Sequence, residues 1–288
     1  MTIPVMANPG ISKSAQKLVA KNPNSEMVIR DIVPGQIAIL SVPFKRFGVV
    51  KIGGRGTIVK LKTGNLAIFN PVALTPETKA KVEQLSQAGS SGTVRYLIAP
   101  DYEHHIFLTP WAKEYPDANV IGPEGLPEKR EKDEANKGVK FHHVFTPNNK
   151  HQMSITPEFD DEFNYEYFHS HQNKELVFFH KPTRTMIEAD LLFNLPANEQ
   201  FSKSNEDPTS GIMTKLFGFF TSGKNLKWQQ RFIYYGPGAM DRKGFRASLE
   251  KVQAWGDFDR LIPCHGDVIE QGGSRILKEA TAWYHNVK

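Results

Sequence analysis

The chain has a single cysteine, Cys264, in 288 residues. That excludes a disulfide framework and a cysteine-rich zinc site. Such scarcity fits a reducing compartment, so the expected location is cytoplasmic. A mitochondrial location is the alternative, because residues 1–25 carry Lys13, Lys17 and Lys21 and no acid. No apolar run approaches the roughly 20 residues that span a bilayer, and no signal-type apolar stretch follows Met1. Neither secretion nor a membrane partner is expected. Blocks of like charge are also missing. Lysine and arginine total 36 against 31 acids, a net +5, and they are scattered, so no nucleic-acid partner is expected. Neither G-x-G-x-x-G nor G-x-x-x-x-G-K-S/T occurs, which removes the support for a nucleotide cofactor. The absence of G-x-S-x-G removes a serine hydrolase of the elbow type.

What is present is an ordinary globular composition, 39% hydrophobic and 23% charged. From Gln36, short β-branched runs punctuated by glycine (IAILSVPF, VVKIGG, GTIVKLKTG, NLAIFNPV) read as strands joined by tight turns. A helix follows, with Thr75 as N-cap, Pro76 in its first turn and Gly89 at its end. VRYLIAP is a buried strand. DYEHHIFLTPWAKEY turns helical, ANVIG is a strand, and residues 124–138 form an exposed loop or short helix. VKFHHVF, FNYEYFH, ELVFFH and RTMIEAD add strands. GIMTKLFGFF reads as a buried helix or a lid, RKGFRASLEKVQAW as an amphipathic helix, RLIP as a strand and SRILKEATAWYH as a closing helix. This order suits two sheets flanked by helices. Residues 1–30 are read as a loosely ordered arm and residues 31–288 as one domain.

Five polar positions fall just past expected strand ends: His104 and His105 after VRYLIAP, His171 after FNYEYFH, Asp190 after RTMIEA, and His265 after RLIP. Layered α/β folds build sites at strand ends. Imidazole nitrogen and carboxylate oxygen are the ligands of catalytic zinc and iron. Neighbours on a strand point to opposite faces, but at a helix start they diverge by about 100°, so His104 and His105 can then reach one site. Cys264 beside His265 does not make a nucleophile pair, because sequence neighbours lack the geometry. His142, His143 and His180 read as structural.

These residues, in this order, resemble the metallo-β-lactamase superfamily. Its signature is a strand followed by His-x-His-x-Asp-His, a later loop histidine, an aspartate at a strand end, and a last strand ending in Pro-x-His-Gly. The last is matched by Pro263-Cys264-His265-Gly266, the aspartate by Asp190, and the loop histidine by His171, with His169 in reserve. The main motif departs: Pro100 and Tyr102 stand at the first two histidine positions and His104 at the aspartate position, while His105 is kept. The chain most resembles a branch of the superfamily with a His-His motif and the segments Asn70 to Thr75, Glu175 to His180 and Arg184 to Asn194.

The resemblance implies an αββα sandwich of two mixed sheets. It also implies one divalent metal, zinc or iron, held by His104, His105, Asp190 and His265, with His171 as a fifth ligand or a base. The first metal site of the family would be lost. The implied activity is hydrolysis of a small-molecule ester, amide, lactone or thioester by a metal-activated water, with Asp190 or His171 managing the proton and Tyr102 bonding substrate. The alternative is a metal-free chain that binds a ligand or partner in the old cleft. The oligomeric state is left open.

Overall fold

A computed structural model of the chain describes residues 11–12, 15–87 and 92–287. The strands in chain order are β1 (Val28–Val33), β2 (Ile37–Val42), β3 (Lys45–Arg46), β4 (Val50–Lys51), β5 (Gly54–Lys60), β6 (Leu66–Phe69), β7 (Val94–Ile98), β8 (Asn119–Pro123), β9 (His143–Phe145), β10 (Phe163–Phe168), β11 (Glu175–His180), β12 (Thr185–Ile187) and β13 (Arg260–Ile262). The helices are α1 (Pro23–Glu26), α2 (Pro76–Gln87), α3 (Leu108–Glu114), α4 (Leu126–Glu131), α5 (Pro157–Glu162), α6 (Asn198–Phe201), α7 (Ile212–Phe220), α8 (Leu226–Tyr235), α9 (Arg242–Gln253) and α10 (Gly273–Ala280).

The first sheet runs β1-β2-β5-β6-β7-β8-β9, antiparallel up to β6 and parallel beyond it. The second runs β10-β11-β12-β13, with only the β12–β13 pair parallel. β3 and β4 form a separate hairpin.

The continuous apolar strands are buried on both faces, and their period of two sorts each residue into a layer. In β2, Ile37 and Ile39 face the second sheet, while Ala38 and Leu40 meet Val82 and Leu85 of α2 and Leu108 and Trp111 of α3. In β11, Leu176 and Phe178 meet Phe69, Tyr96 and Ile98 across the sandwich. Val177 and Phe179 pack outward against Phe245 and Leu249 of α9 and Leu277 of α10. Each fully buried side chain of this size contributes about 1.5–3 kcal/mol, so register is strongly enforced. The result is the expected αββα sandwich of two mixed sheets.

Several local expectations change. Gly89, expected to end α2, lies outside the described residues. The described part of the expected arm is folded: Ile11, Ala15 and Met27 pack under the first sheet, and Val28 opens its edge strand. His104 and His105 are not at a helix start, because Asp101 bends the chain first and α3 begins at Leu108. Only His143–Phe145 of VKFHHVF is strand. α7 was expected to be a buried helix or a lid; it is not buried, since Thr214 is its only buried residue.

Candidate metal centre

The chain leaves β7, β12 and β13 at their C-terminal ends and brings His104, Asp190 and His265 together there. Their donor atoms all lie within 4.8 Å of one another. His104 Nε2 is 3.0 Å from His265 Nε2, and His265 Nε2 is 3.2 Å from Asp190 Oδ1. Asp190 and His265 are buried.

Each ring is fixed by what its other nitrogen bonds. His104 Nδ1 donates to Asp101 Oδ2 at 2.8 Å. Asp101 is fully buried, and its Oδ1 accepts from the backbone N–H of Glu103 and of His104, both at 2.7 Å. His265 Nδ1 donates to the Gly53 carbonyl at 2.6 Å. Its ring stacks between Phe193 and Phe44. With both Nδ1 atoms engaged, the two Nε2 atoms are left to face each other, and His265 Nε2 also faces Asp190.

Asp190 is oriented in the same way. Asn173 Nδ2 donates to its Oδ2 at 2.5 Å, and its backbone N–H donates to Glu175 Oε2 at 2.9 Å. Asp190 Oδ1 is buried without a hydrogen-bond partner among the described residues. This carboxylate oxygen thus stands 3.2 Å from an imidazole nitrogen that is itself 3.0 Å from a second one, an arrangement that needs a cation or a proton among them. Burial alone would raise the Asp190 pKa, but His104 and His265 outweigh it and hold the group ionised, well below the usual carboxylate range. Burial likewise opposes protonation of His104, yet Asp101 and Asp190 raise its pKa to about 9. The donor set fits a metal. Two ligands on a tetrahedral zinc with bonds of about 2.0–2.1 Å sit roughly 3.3 Å apart, and nitrogen or carboxylate oxygen at each position is ordinary. Histidine ligands whose other nitrogen bonds a carboxylate or carbonyl are the usual support of such a site.

The loop that carries His265 is clamped from below. Arg55 of β5 is fully buried and donates from Nη1 to the carbonyls of Pro263 and Gly266, each at 2.7 Å. Its Nε reaches Ser41 Oγ and its Nη2 pairs with Glu199 at 3.2 Å. Gln200 donates to the Cys264 carbonyl at 2.8 Å and accepts from Gly266 N–H at 3.0 Å. Gly266 has φ +87 and a backbone neighbour where a Cβ would sit, so that position requires glycine.

The remaining expected residues fall outside this cluster. His105 turns away: its Nδ1 accepts from Arg130 Nη1 at 3.1 Å, and burial with the Arg130 charge drives its pKa down to about 3. His171 is buried beside Asp190 but not in the cluster. Its Nδ1 accepts from Asn173 N–H at 3.1 Å, which places the proton on Nε2 and makes that nitrogen a donor rather than a base. His169 faces Asp241. Tyr102 carries the Lys129 ammonium over its ring at 4.3 Å, and its N–H donates to the Asn173 carbonyl, so its contacts are with Lys129 and Asn173 and not with the donor atoms. Burial pushes the Cys264 thiol well up, so it is inert as a nucleophile. Sequence reasoning missed Asp101, Asn173, Gly53 and Arg55. Only Asp101, one residue inside the quoted motif, left a signal.

A cavity of about 380 Å³ opens beside His104, Asp190 and His265. Val42, Phe44, Val72 and Phe107 make much of its wall apolar, and Arg46 contributes a cation. Its size suits a small-molecule ligand.

Two helix-covered mixed sheets, with donors on the loops at one end, define a chain of the metallo-β-lactamase fold. Solved structures agree. A metallo-β-lactamase from Pontibacter korlensis matches with TM-score 0.53 and 11% identity over 91% of this chain and 100% of its own. The mono-zinc form of metallo-β-lactamase FIM-1 from Pseudomonas aeruginosa matches with TM-score 0.53 and 10% identity, covering 90% and 95%. The metal-soaked flavodiiron core of Flv1 from Synechocystis sp. PCC6803 matches with TM-score 0.58 and 14% identity, covering 90% and 61%. Identities this low carry the fold alone. Residues 44–215 match the family described as Domain of unknown function (DUF4336), and the chain belongs to that family. No curated protein matches the chain.

Proposed function

We propose that the chain is a metal-dependent hydrolase of a small-molecule ester, amide, lactone or thioester, with one zinc or iron ion held by His104, Asp190 and His265. One observation carries this reading: Nδ1 of each histidine is engaged elsewhere, so both Nε2 atoms and the unpartnered Asp190 Oδ1 converge on one point. A bound ion would supply an activated water and a Lewis acid for a carbonyl. Asp101 and Gly53 hold the two rings in the ligating tautomer. Asn173 keeps Asp190 turned inward. The apolar cavity wall excludes bulk water and takes the substrate's apolar part.

A second reading rests on the same contact. One proton between His104 and His265 also closes the 3.0 Å approach, as suits a metal-free protein that binds a ligand in the cavity. Elemental analysis of untagged protein separates the two, run beside His104→Ala and His265→Ala. About one equivalent of zinc or iron, lost in both variants, supports the hydrolase reading and opens a screen of ester, lactone and thioester substrates. Protein that carries no metal and binds none on titration overturns it.

A further inference from the structure

Among the described residues, every exposed large apolar side chain lies either at the β3–β4 tip, as Phe47 and Val49, or between Ile212 and Met240. These two segments are joined. Thr214 Oγ1 accepts from Lys51 N–H at 3.2 Å and donates to the Val49 carbonyl at 3.4 Å, which pins the hairpin to α7. α7 is inverted relative to an ordinary surface helix. Ile212, Leu216 and Phe219 recur at helical spacing on one stripe, and that stripe faces solvent. Trp228 of α8 extends it through a tilted ring contact with Phe219 and an edge contact with Phe220.

The charge on this face is of one sign. From Pro208 to Met240 the chain has no Asp or Glu and carries Lys215, Lys224, Lys227 and Arg231. Two acids precede this segment at the border: Asp207 accepts from the N–H and hydroxyl of Thr209, and Glu206 is paired with Lys45 and Lys51. An apolar stripe flanked by cations is the composition of a helix that lies in the headgroup region of a bilayer. A two-fold contact between copies would set these lysines against one another. The expectation of no membrane partner rested on the lack of a spanning segment; no described helix is long and apolar enough to cross a membrane, but lying on one requires no such segment.

We propose that α7, α8 and the β3–β4 tip form a surface that docks on anionic lipid bilayers. Phe47 also lines the cavity beside the candidate centre, so docking brings the cavity rim to the lipid surface.

The test is flotation of the full chain with vesicles of phosphatidylcholine alone and of phosphatidylcholine with phosphatidylglycerol, read also by tryptophan fluorescence. The wild type should float with the mixed vesicles, with a blue-shifted emission and weaker binding in added salt. Leu216→Asp and Phe219→Asp should each bind roughly tenfold or more weakly, with unchanged circular dichroism and melting temperature. Lys224→Glu with Lys227→Glu should weaken binding while leaving the apolar stripe intact. Failure of the wild type to float, equal binding to pure phosphatidylcholine, or undiminished binding by Leu216→Asp overturns the proposal. A concentration-dependent dimer that Leu216→Asp abolishes, without vesicle binding, assigns the face to a second copy instead.

Discussion

Arg55→Met should destabilise the protein and loosen the candidate centre together. The guanidinium is fully buried and holds two carbonyls of the His265 loop, a serine hydroxyl and Glu199. A thioether of similar length fills the space but donates nothing. The Pro263 and Gly266 carbonyls then lose donors in a dry site, at about 1–3 kcal/mol each, and Glu199 keeps only Arg30 and Ser41. Removing one partner of a buried pair costs about 3–5 kcal/mol. At about 2–4 °C per kcal/mol for a large domain, the melting temperature should fall on the order of 10 °C. The freed loop lets His265 leave the point it shares with His104, so metal affinity should fall about 10–100-fold. Thermal unfolding of the apo form and competition with a chromophoric chelator read the two effects separately. Adding Glu199→Gln to Arg55→Met should recover part of the stability, because the carboxylate left with one cation in place of two is neutralised. A melting temperature within about 2 °C of wild type, or unchanged metal affinity, would refute the clamp.

The stability gap between wild type and Arg55→Met should also depend on pH. Burial raises the Glu199 pKa, but Arg55, Ser41 and Arg30 outweigh it and lower it. A depressed carboxyl stabilises above its unfolded pKa of about 4.3 and loses that contribution as pH falls through the folded value. The gap is therefore full at neutral pH and should narrow below about pH 4.3 in urea titrations. Asp101→Asn should preserve the turn through its remaining carbonyl oxygen while removing the charge behind His104. Metal affinity should drop about 10–100-fold, and an unchanged chelator titration would count against the assigned role. His105→Ala should leave metal content at the wild-type level and cost about 1–3 kcal/mol through the one acceptor that Arg130 Nη1 loses. Loss of the metal in that variant would restore His105 as a ligand. Chelation of metal-loaded wild type should lower the melting temperature, as expected for an ion bound only by the native state, and should leave His265→Ala unmoved.

The fold was legible because its buried strands are continuous, β-branched and bounded by glycine. Glu175–His180 reads the same in sequence and structure, and Thr75 caps α2 as read. Asp190 and His265 were legible because each follows a short apolar strand directly. His104 and His105 could not be separated by sequence. Which of two adjacent imidazoles faces inward depends on the bend that Asp101 imposes before α3 begins. Arg55 sits within Gly54–Lys60, where strand alternation does not reveal a buried charge, since its carboxylate and carbonyl partners lie 144 and more residues away. The buried reading of α7 failed because apolar periodicity marks a stripe without stating what it meets.

The three donors come from loops after β7, β12 and β13, so one belongs to the first sheet and two to the second. The gap between His104 and His265 is therefore a ruler laid across the two halves of the sandwich. No fragment holding one sheet contains the complete set, and loop closures this long form late in a folding chain. An ion bound here would report assembly of the whole domain. A change in the shared aromatic layer, such as Phe69→Ala, would be read first as a lost or weakened ion.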